Sequence, residues 1–174
     1  MLLPIDAVGV IDTAMGLQLF DMATVLHSVD TGTALQTFDT SGADEAFLVG
    51  RLIFGGILAF MGLNHFLGLD EMAEYAAYKG LPAPQVSVVA SGALLVAAGL
   101  GIVVGAFPVL AGTGLAVFLL VSAVTMHDFW AVPEDQQQTE MTQFLKNVAL
   151  AGGAIALAAL GTTAWPYAVD IGLF

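Results

Sequence analysis

The longest uncharged stretch of the chain runs from residue 80 to residue 127 and reads GLPAPQVSVVASGALLVAAGLGIVVGAFPVLAGTGLAVFLLVSAVTMH. Its 48 residues suffice for two membrane-spanning helices, because a helix needs about 20 mainly apolar residues to cross the hydrocarbon core of a bilayer. Phe107-Pro108 near its middle favours a turn, since proline disrupts a helix interior but is accommodated in a first turn. The stretch therefore predicts two antiparallel spans, over 85–106 and 109–130.

Two shorter uncharged stretches flank this one, with 18 residues after Arg51 and 23 residues after Lys146. Each is long enough for one further span, predicted over 46–67 and 144–164. The composition agrees, because 58% of the residues are hydrophobic and only 10% are charged, which is too few polar residues to cover the surface of a soluble globule. Four helices with short connections predict an all-α integral membrane protein, an up-and-down four-helix bundle in a lipid bilayer.

The first 44 residues differ, because five aspartates leave no uncharged interval longer than 8 residues. They also lack the positive region that opens a secretory signal. Apolar residues nevertheless recur at helical spacing, which predicts an N-terminal amphipathic helix over 11–30 that lies on the bundle, the membrane interface or a second copy. We therefore divide the chain into an arm, 1–44, and a four-span domain, 45–174. The predicted buried face of the arm consists of Ile11, Met15, Leu19, Met22, Leu26 and Val29.

The charge of the chain is one-sided, since 15 acidic residues face 3 basic ones and the net charge is −12. Nucleic acid binds through clustered Lys and Arg, so it is excluded as a partner. The positive-inside tendency places Lys79 and Lys146 in the cytoplasm and both termini outside the cell membrane. The acid excess is typical of proteins that work in high salt and predicts a halophilic source. The absence of cysteine excludes disulfides, thiolate metal sites and haem-attachment motifs.

Polar residues from the ends of several spans are predicted to meet at one end of the bundle, because consecutive spans run antiparallel. Ionisable groups within membranes usually face the bundle interior and often mark function. The two imidazoles could bind a quinone carbonyl, a haem or a metal, or serve as structural hydrogen-bonding groups. No His-x-x-His or Glu-x-x-His spacing points to a metal site. The candidate cofactor-binding residues are Asn64, His65, His127, Asp128, Lys146 and Asn147.

The charged residues near the spans require partners. Asp128 and Lys146 are predicted to form an ion pair between the third and fourth spans, with His127 within a few Å of the fourth. Arg51 is expected to pair with an acid at the other end or to extend towards the interface. Candidate acids are Asp44, Glu45 and Asp170. The inward face of the first span, from its spacing, consists of Arg51, Gly55, Leu58, Gly62 and His65.

Two polar connections complete the pattern. The stretch GLDEMAEYAAYKG over residues 68–80 has apolar residues at helical spacing and ends in glycine. It predicts a short interfacial helix over the polar end of the bundle. The connection before the fourth span, 131–143, is predicted as a loop in which Thr142 or a residue just before it caps the following helix.

Three segments of the chain resemble the DoxX family of small four-helix membrane proteins. They are GLNHFLGLDEMAEYAAYKGLPAP at 62–84, HDFW at 127–130 and FLKNVAL at 144–150, within a resemblance that covers about Phe47 to Leu160. The resemblance implies an up-and-down bundle. It also implies a link to membrane redox complexes, because DoxX-like chains include a subunit type of thiosulfate:quinone oxidoreductase.

Two functions are compatible with these features. The first is a membrane subunit of a respiratory or redox complex that binds a quinone and works with a redox partner subunit. The second is a non-enzymatic scaffold that self-associates as a homo-oligomer through its glycine-rich helices and the arm. A solute transporter is less compatible, because four spans without an inverted repeat do not provide alternating access in the usual way.

Overall fold

The computed structural model describes residues 40–172, and within this range the protein is all-helical. The helices are α1 (Ala43–Leu67), α2 (Leu69–Tyr78), α3 (Pro84–Val104), α4 (Pro108–Met126) and α5 (Glu134–Leu160). All except α2 are long and apolar enough to cross a membrane. The predicted class of fold is confirmed, including the short helix after the first span. The amphipathic helix predicted over 11–30 lies outside the described residues.

Helix α5 begins well before the predicted start of the fourth span. Pro133 precedes its first turn, which contains Glu134 and Asp135, and acidic residues there interact favourably with the helix dipole. The polar stretch 134–143 is therefore a helical extension of the span and not a loop. Thr142 does not cap it, because its hydroxyl donates to the carbonyl of Gln138 at 2.8 Å within the helix.

Helices α1 and α3 contact each other through their backbones at two pairs of glycines. A methyl group on Gly99 would lie 2.6 Å from the carbonyl oxygen of Gly55, and one on Gly62 would lie 2.7 Å from the carbonyl oxygen of Gly92. Small residues permit such close approach between membrane helices. The buried face of α1 contains Arg51, Gly55, Leu58 and Gly62, as the spacing predicts.

Glycine also brings α5 against its two neighbours. A methyl group on Gly112 of α4 would lie 2.8 Å from the carbonyl oxygen of Ala154. A methyl group on Gly153 would lie 3.1 Å from the ring of Phe54 on α1. Together with the packing of α3 on α4, these contacts close a ring of four helices. The core between them includes Leu58, Leu95, Ile102, Leu115 and Leu119.

Arg51 is wholly buried, at 0% exposure, beneath the segment that follows α5. Its Nη2 donates to the carbonyl of Pro166 at 2.6 Å. Its guanidinium lies 5.3 Å from the ring centroid of Phe47 and 5.2 Å from that of Trp165, within the range of a cation–π contact. The expectation that Arg51 pairs directly with an acid or extends to the interface is wrong, because the chain folds back and covers it with carbonyls and aromatic rings.

The segment after α5 is joined to the turn between α3 and α4. The amide of Val169 donates to the carbonyl of Val104 at 2.9 Å, and the amide of Phe107 donates to the carbonyl of Ile171 at 2.7 Å. Asp170 accepts the backbone amide of Trp165 at 3.2 Å. This end of the bundle is therefore sealed by hydrogen-bonded backbone.

We expect Gly99→Ala to lower the free energy of unfolding in detergent by about 1–3 kcal/mol, the usual effect of overpacking, because the new methyl group meets backbone atoms of α1. The matched control is Gly56→Ala, whose methyl group meets nothing within 4 Å. It should leave stability unchanged or raise it. Equal stability of the two variants would contradict a backbone contact between α1 and α3.

The predicted orientation can be measured directly, because the chain has no cysteine of its own. We expect a cysteine at Gln136, near the start of α5, to react with a membrane-impermeant maleimide only from the cytoplasmic side. A cysteine at Thr162, just after α5, should react only from the outside. Both positions are exposed. Labelling of both from one side would contradict a membrane crossing by α5, and the reverse pattern would invert the orientation.

Candidate functional site

A cavity of about 780 Å³ lies within the bundle at the end that α2 covers, and all five helices line it. Its volume falls in the range of about 300–1,000 Å³ typical of small-molecule sites. The wall is mainly apolar, with Leu58, Leu95 and Leu119 at its buried side. Several polar residues also line the cavity. They include His65, Ser122, His127, Lys146 and Asn147.

The residues that line the cavity are exposed on two sides. Ala90 on α3 and Val121 and Thr125 on α4 are exposed and mark an opening between these helices, whereas Glu71 and Tyr75 on α2 and Lys146 on α5 are exposed at the end that α2 covers. Val121 is 55% exposed. Because α3 and α4 are long and apolar enough to span a membrane, the opening between them faces lipid.

His127 and Glu140 form a hydrogen-bonded pair between the end of α4 and the extension of α5. The Nδ1 atom of His127 lies 2.9 Å from Oε2 of Glu140, and the two side chains are 21% and 19% exposed. His127 thus contacts α5, but at Glu140 in the helical extension that precedes the predicted span 144–164. Glu140 was not predicted, because residues 134–143 were assigned to a loop. Its position seven residues before Asn147, about two helical turns, is the signal that would have placed both on one face of α5.

Asp128 is paired with Lys79, at the end of α2, and not with Lys146. Lys146 instead donates to the side-chain oxygen of Gln143 one turn earlier on α5. The predicted pair of Asp128 and Lys146 is therefore wrong. Both lysines lie at the same end of the bundle, and the short helix α2 brings Lys79 across to the residue that follows His127.

The pair shifts the pKa values of both its members. The hydrogen bond from Lys79 lowers the pKa of the Asp128 carboxyl. Burial has the largest single effect and favours the neutral form of the Lys79 amine. The hydrogen bond to Asp128 and the charges of Tyr75, Asp128 and Glu140 together outweigh it and raise the pKa of Lys79. Burial, followed by the charge of Glu140, raises the pKa of Tyr75. The hydroxyl of Tyr75 donates to the carbonyl of Met126 at 3.1 Å, a second link between α2 and α4.

His65 lines the cavity from α1, as predicted for the inward face. Its Nδ1 lies 2.9 Å from the carbonyl oxygen of Met61, so Nδ1 carries the proton of this hydrogen bond. A methyl group on Gly92 would lie 2.8 Å from its Cβ, so α3 packs directly against it. Two other residues that were predicted for the site do not line the cavity. They are Asn64 and Asp128.

Asn147 is the most deeply buried of the polar residues that line the cavity. It is 6% exposed, and its side-chain amide has no hydrogen bond to any residue in the described range 40–172. The half-buried hydroxyl of Ser122 on α4 is also without such a partner there. Buried polar groups without partners are unfavourable, so a ligand with polar atoms would satisfy them.

The aromatic residues after His127 fasten this loop to α5. The rings of Phe129 and Trp130 each meet the ring of Phe144 edge-on, at centroid distances of 5.4 Å and 5.9 Å. Across residues 40–172, no three His, Asp or Glu side chains are grouped closely enough to hold a metal ion. The side chains that line the cavity can form hydrogen bonds and exchange protons.

We expect Asp128→Asn to destabilise the protein at neutral pH, because it removes the partner of Lys79. Since the pKa of Asp128 is lowered in the folded protein, the contribution of its charge is present above the ordinary Asp value near 4 and is lost as pH falls through the lowered pKa. The difference from the unsubstituted protein should therefore shrink at pH 3. Thermal unfolding in detergent measures it. Lys146→Met should not reproduce the effect of Asp128→Asn, and a larger loss for Lys146→Met would contradict the observed pairing.

Comparison with known proteins agrees with the fold. The family model for DoxX matches residues 46–128, from within α1 to just beyond α4. The inner membrane protein YphA of Escherichia coli (strain K12) is 29% identical over 114 residues, which make up 66% of this chain and 81% of YphA. No solved structure matches the chain significantly. The match contains the segment at 62–84 and His127 and Asp128 of HDFW, while the segment at 144–150 lies beyond it. The resemblance to the DoxX family is thereby confirmed, and the chain is similar to an inner membrane protein.

Proposed function

We propose that this protein is the membrane subunit of a redox complex and that it binds a quinone in the cavity beneath α2. The observation that carries the proposal is the amide of Asn147, which lines the mainly apolar cavity, is 6% exposed and has no hydrogen-bond partner among the described residues. A quinone combines the two features that such a site selects, an apolar ring and tail and a few carbonyl oxygens that accept hydrogen bonds.

The opening between α3 and α4 supports a ligand that is dissolved in the membrane. Of its exposed rim residues, Ala90 and Val121 are apolar and Thr125 carries a hydroxyl that is bonded to the carbonyl of Val121 in its own helix. An isoprenoid tail could extend between the two helices while the ring occupies the cavity. A water-soluble substrate would gain nothing from an entrance on this side.

The polar groups of the wall suit the ring of a quinone. The amide of Asn147 can donate to a carbonyl, and the hydroxyl of Ser122 can do the same. His65 and His127 lie nearer the α2 end of the cavity. Donors spaced along a cavity fix the orientation of a ligand whose remaining surface is apolar.

The role of a subunit follows from what the chain lacks. Without cysteine it cannot hold an iron–sulfur cluster through thiolates. Electrons would therefore pass between the quinone and a redox partner subunit. The resemblance to the DoxX family supports this assignment, because DoxX-like chains include a subunit type of thiosulfate:quinone oxidoreductase.

We expect the purified protein to contain about one quinone per cavity, measured in an organic extract after washing in detergent. Asn147→Leu should lose the quinone, because it removes the donor while keeping the apolar volume. Its thermal midpoint should be unchanged or higher, since the amide has no partner among the described residues to lose. A purely structural role for Asn147 requires the opposite, a fall in stability.

The matched control is Asn64→Leu, the same change at a residue that does not line the cavity. It should retain the quinone of the unsubstituted protein. A protein that contains no quinone and takes up none from quinone-loaded vesicles would contradict the proposal. Retention of the quinone by Asn147→Leu would remove the observation on which it rests.

A further inference from the structure

We infer that His127, held by Glu140, contacts the polar head of the cavity ligand, and that it makes binding of a carbonyl-bearing head group stronger as His127 gains a proton. This inference rests on the proposed function, since it concerns the same cavity. It assigns a role to the pair of His127 and Glu140, which the proposed hydrogen bond from Asn147 does not involve.

The geometry fixes which nitrogen is available. Glu140, when ionised, can only accept a hydrogen bond, so the proton of the neutral imidazole lies on Nδ1, which is 2.9 Å from Oε2. The Nε2 atom of His127 then carries no proton and can only accept a hydrogen bond. After protonation it is a donor, while Nδ1 keeps its bond to Glu140. The pair thus converts one ring atom from acceptor to donor without moving the ring.

That conversion discriminates between head groups. A ligand carbonyl accepts from the protonated ring and finds only a lone pair on the neutral one. A ligand hydroxyl can donate to the neutral ring. The imidazole ring is the side-chain group that can serve as an acceptor in its neutral form and as a donor at both nitrogens when protonated.

The groups around His127 favour this role for it over His65. Glu140 of α5 stabilises a positive imidazole directly, whereas the Nδ1 of His65 is bonded to a neutral carbonyl of its own helix. Asp128, next to His127, is occupied by Lys79 of α2. The remaining titratable groups that face the cavity from α1, α2 and α5 are His65, Glu71, Tyr75 and Lys146, while α3 contributes only hydroxyls and α4 none that titrates. Glu140 is therefore the carboxylate in direct contact with His127.

The test measures binding of a benzoquinone with a decyl chain to the detergent-purified protein, by quenching of tryptophan fluorescence, between pH 8 and pH 5.5. The oxidised benzoquinone does not titrate in this range, so any change belongs to the protein. We expect the affinity to rise about tenfold towards pH 5.5, the effect of one added charge-assisted hydrogen bond. His127→Gln should give a flat profile, and His65→Gln should keep the slope.

Glu140 is a positioning residue, and its own variants separate position from charge. Glu140→Gln keeps a hydrogen-bonding side chain, but its amide can donate as well as accept, so the proton of the neutral ring is no longer confined to Nδ1. The dependence of affinity on pH should therefore weaken, and Glu140→Asp should restore it. These variants keep the test decisive if His127→Gln does not fold.

The outcomes distinguish the two proposals. Absence of quinone binding at every pH would overturn the proposed function and this inference together. Binding that is independent of pH, or a slope that persists in His127→Gln and disappears in His65→Gln, would overturn only the role of His127. An unmoved profile in Glu140→Gln would show that the carboxylate does not act on the ring.

Discussion

The backbone contact between α1 and α3 is the constraint on which the rest of the bundle depends. In lipid, helices gain little from burying apolar side chains against each other, so close packing of backbones has to hold them. The pairs Gly55 with Gly99 and Gly62 with Gly92 place these two helices in contact at two levels. The pair of Gly55 and Gly99 lies about one helical turn from Arg51. The pair of Gly62 and Gly92 brings His65 against α3. Both polar ends of α1 are thereby directed inward.

The distribution of small residues along α4 and α5 explains why the cavity lies at one end. Gly112 meets Ala154 near the end that contains Arg51, so α4 and α5 approach closely there. Towards α2, α4 instead carries Phe118, Leu119 and Met126, which line the cavity. Bulkier side chains keep the helices apart at this level without filling the space between them. A cavity results at one end and a sealed core at the other.

Buried polar groups have different surroundings at the two ends of the bundle. Arg51 is enclosed by carbonyls and aromatic rings of the segment after α5, and it is not exposed at all. Its role is to hold that segment in place, as a buried cation with several favourable contacts can do. Asn147, by contrast, is buried without a partner among the described residues. Arg51 also keeps two buried nitrogens, Nε and Nη1, without hydrogen-bond partners among the described residues, but of the two side chains only Asn147 lines the cavity. Hydrogen-bonding capacity is therefore available to a ligand at the α2 end.

The sequence predicts the spans, the inward face of α1 and the gathering of polar residues at one end, because these follow from charge spacing and helical period alone. It does not predict the partner of Asp128, since Lys79 and Lys146 share a depth and only the path of α2 decides between them. It also misses Glu140, because the hydropathy that marks a span says nothing about how far the helix continues into water.

The segment HDFW at 127–130 connects three helices. Its histidine binds α5, its aspartate binds α2, and its aromatic rings pack on α5. The residues that carry the resemblance to the DoxX family are thus among those that join three helices around the cavity, while the apolar spans need only be long enough and carry small residues at their contacts.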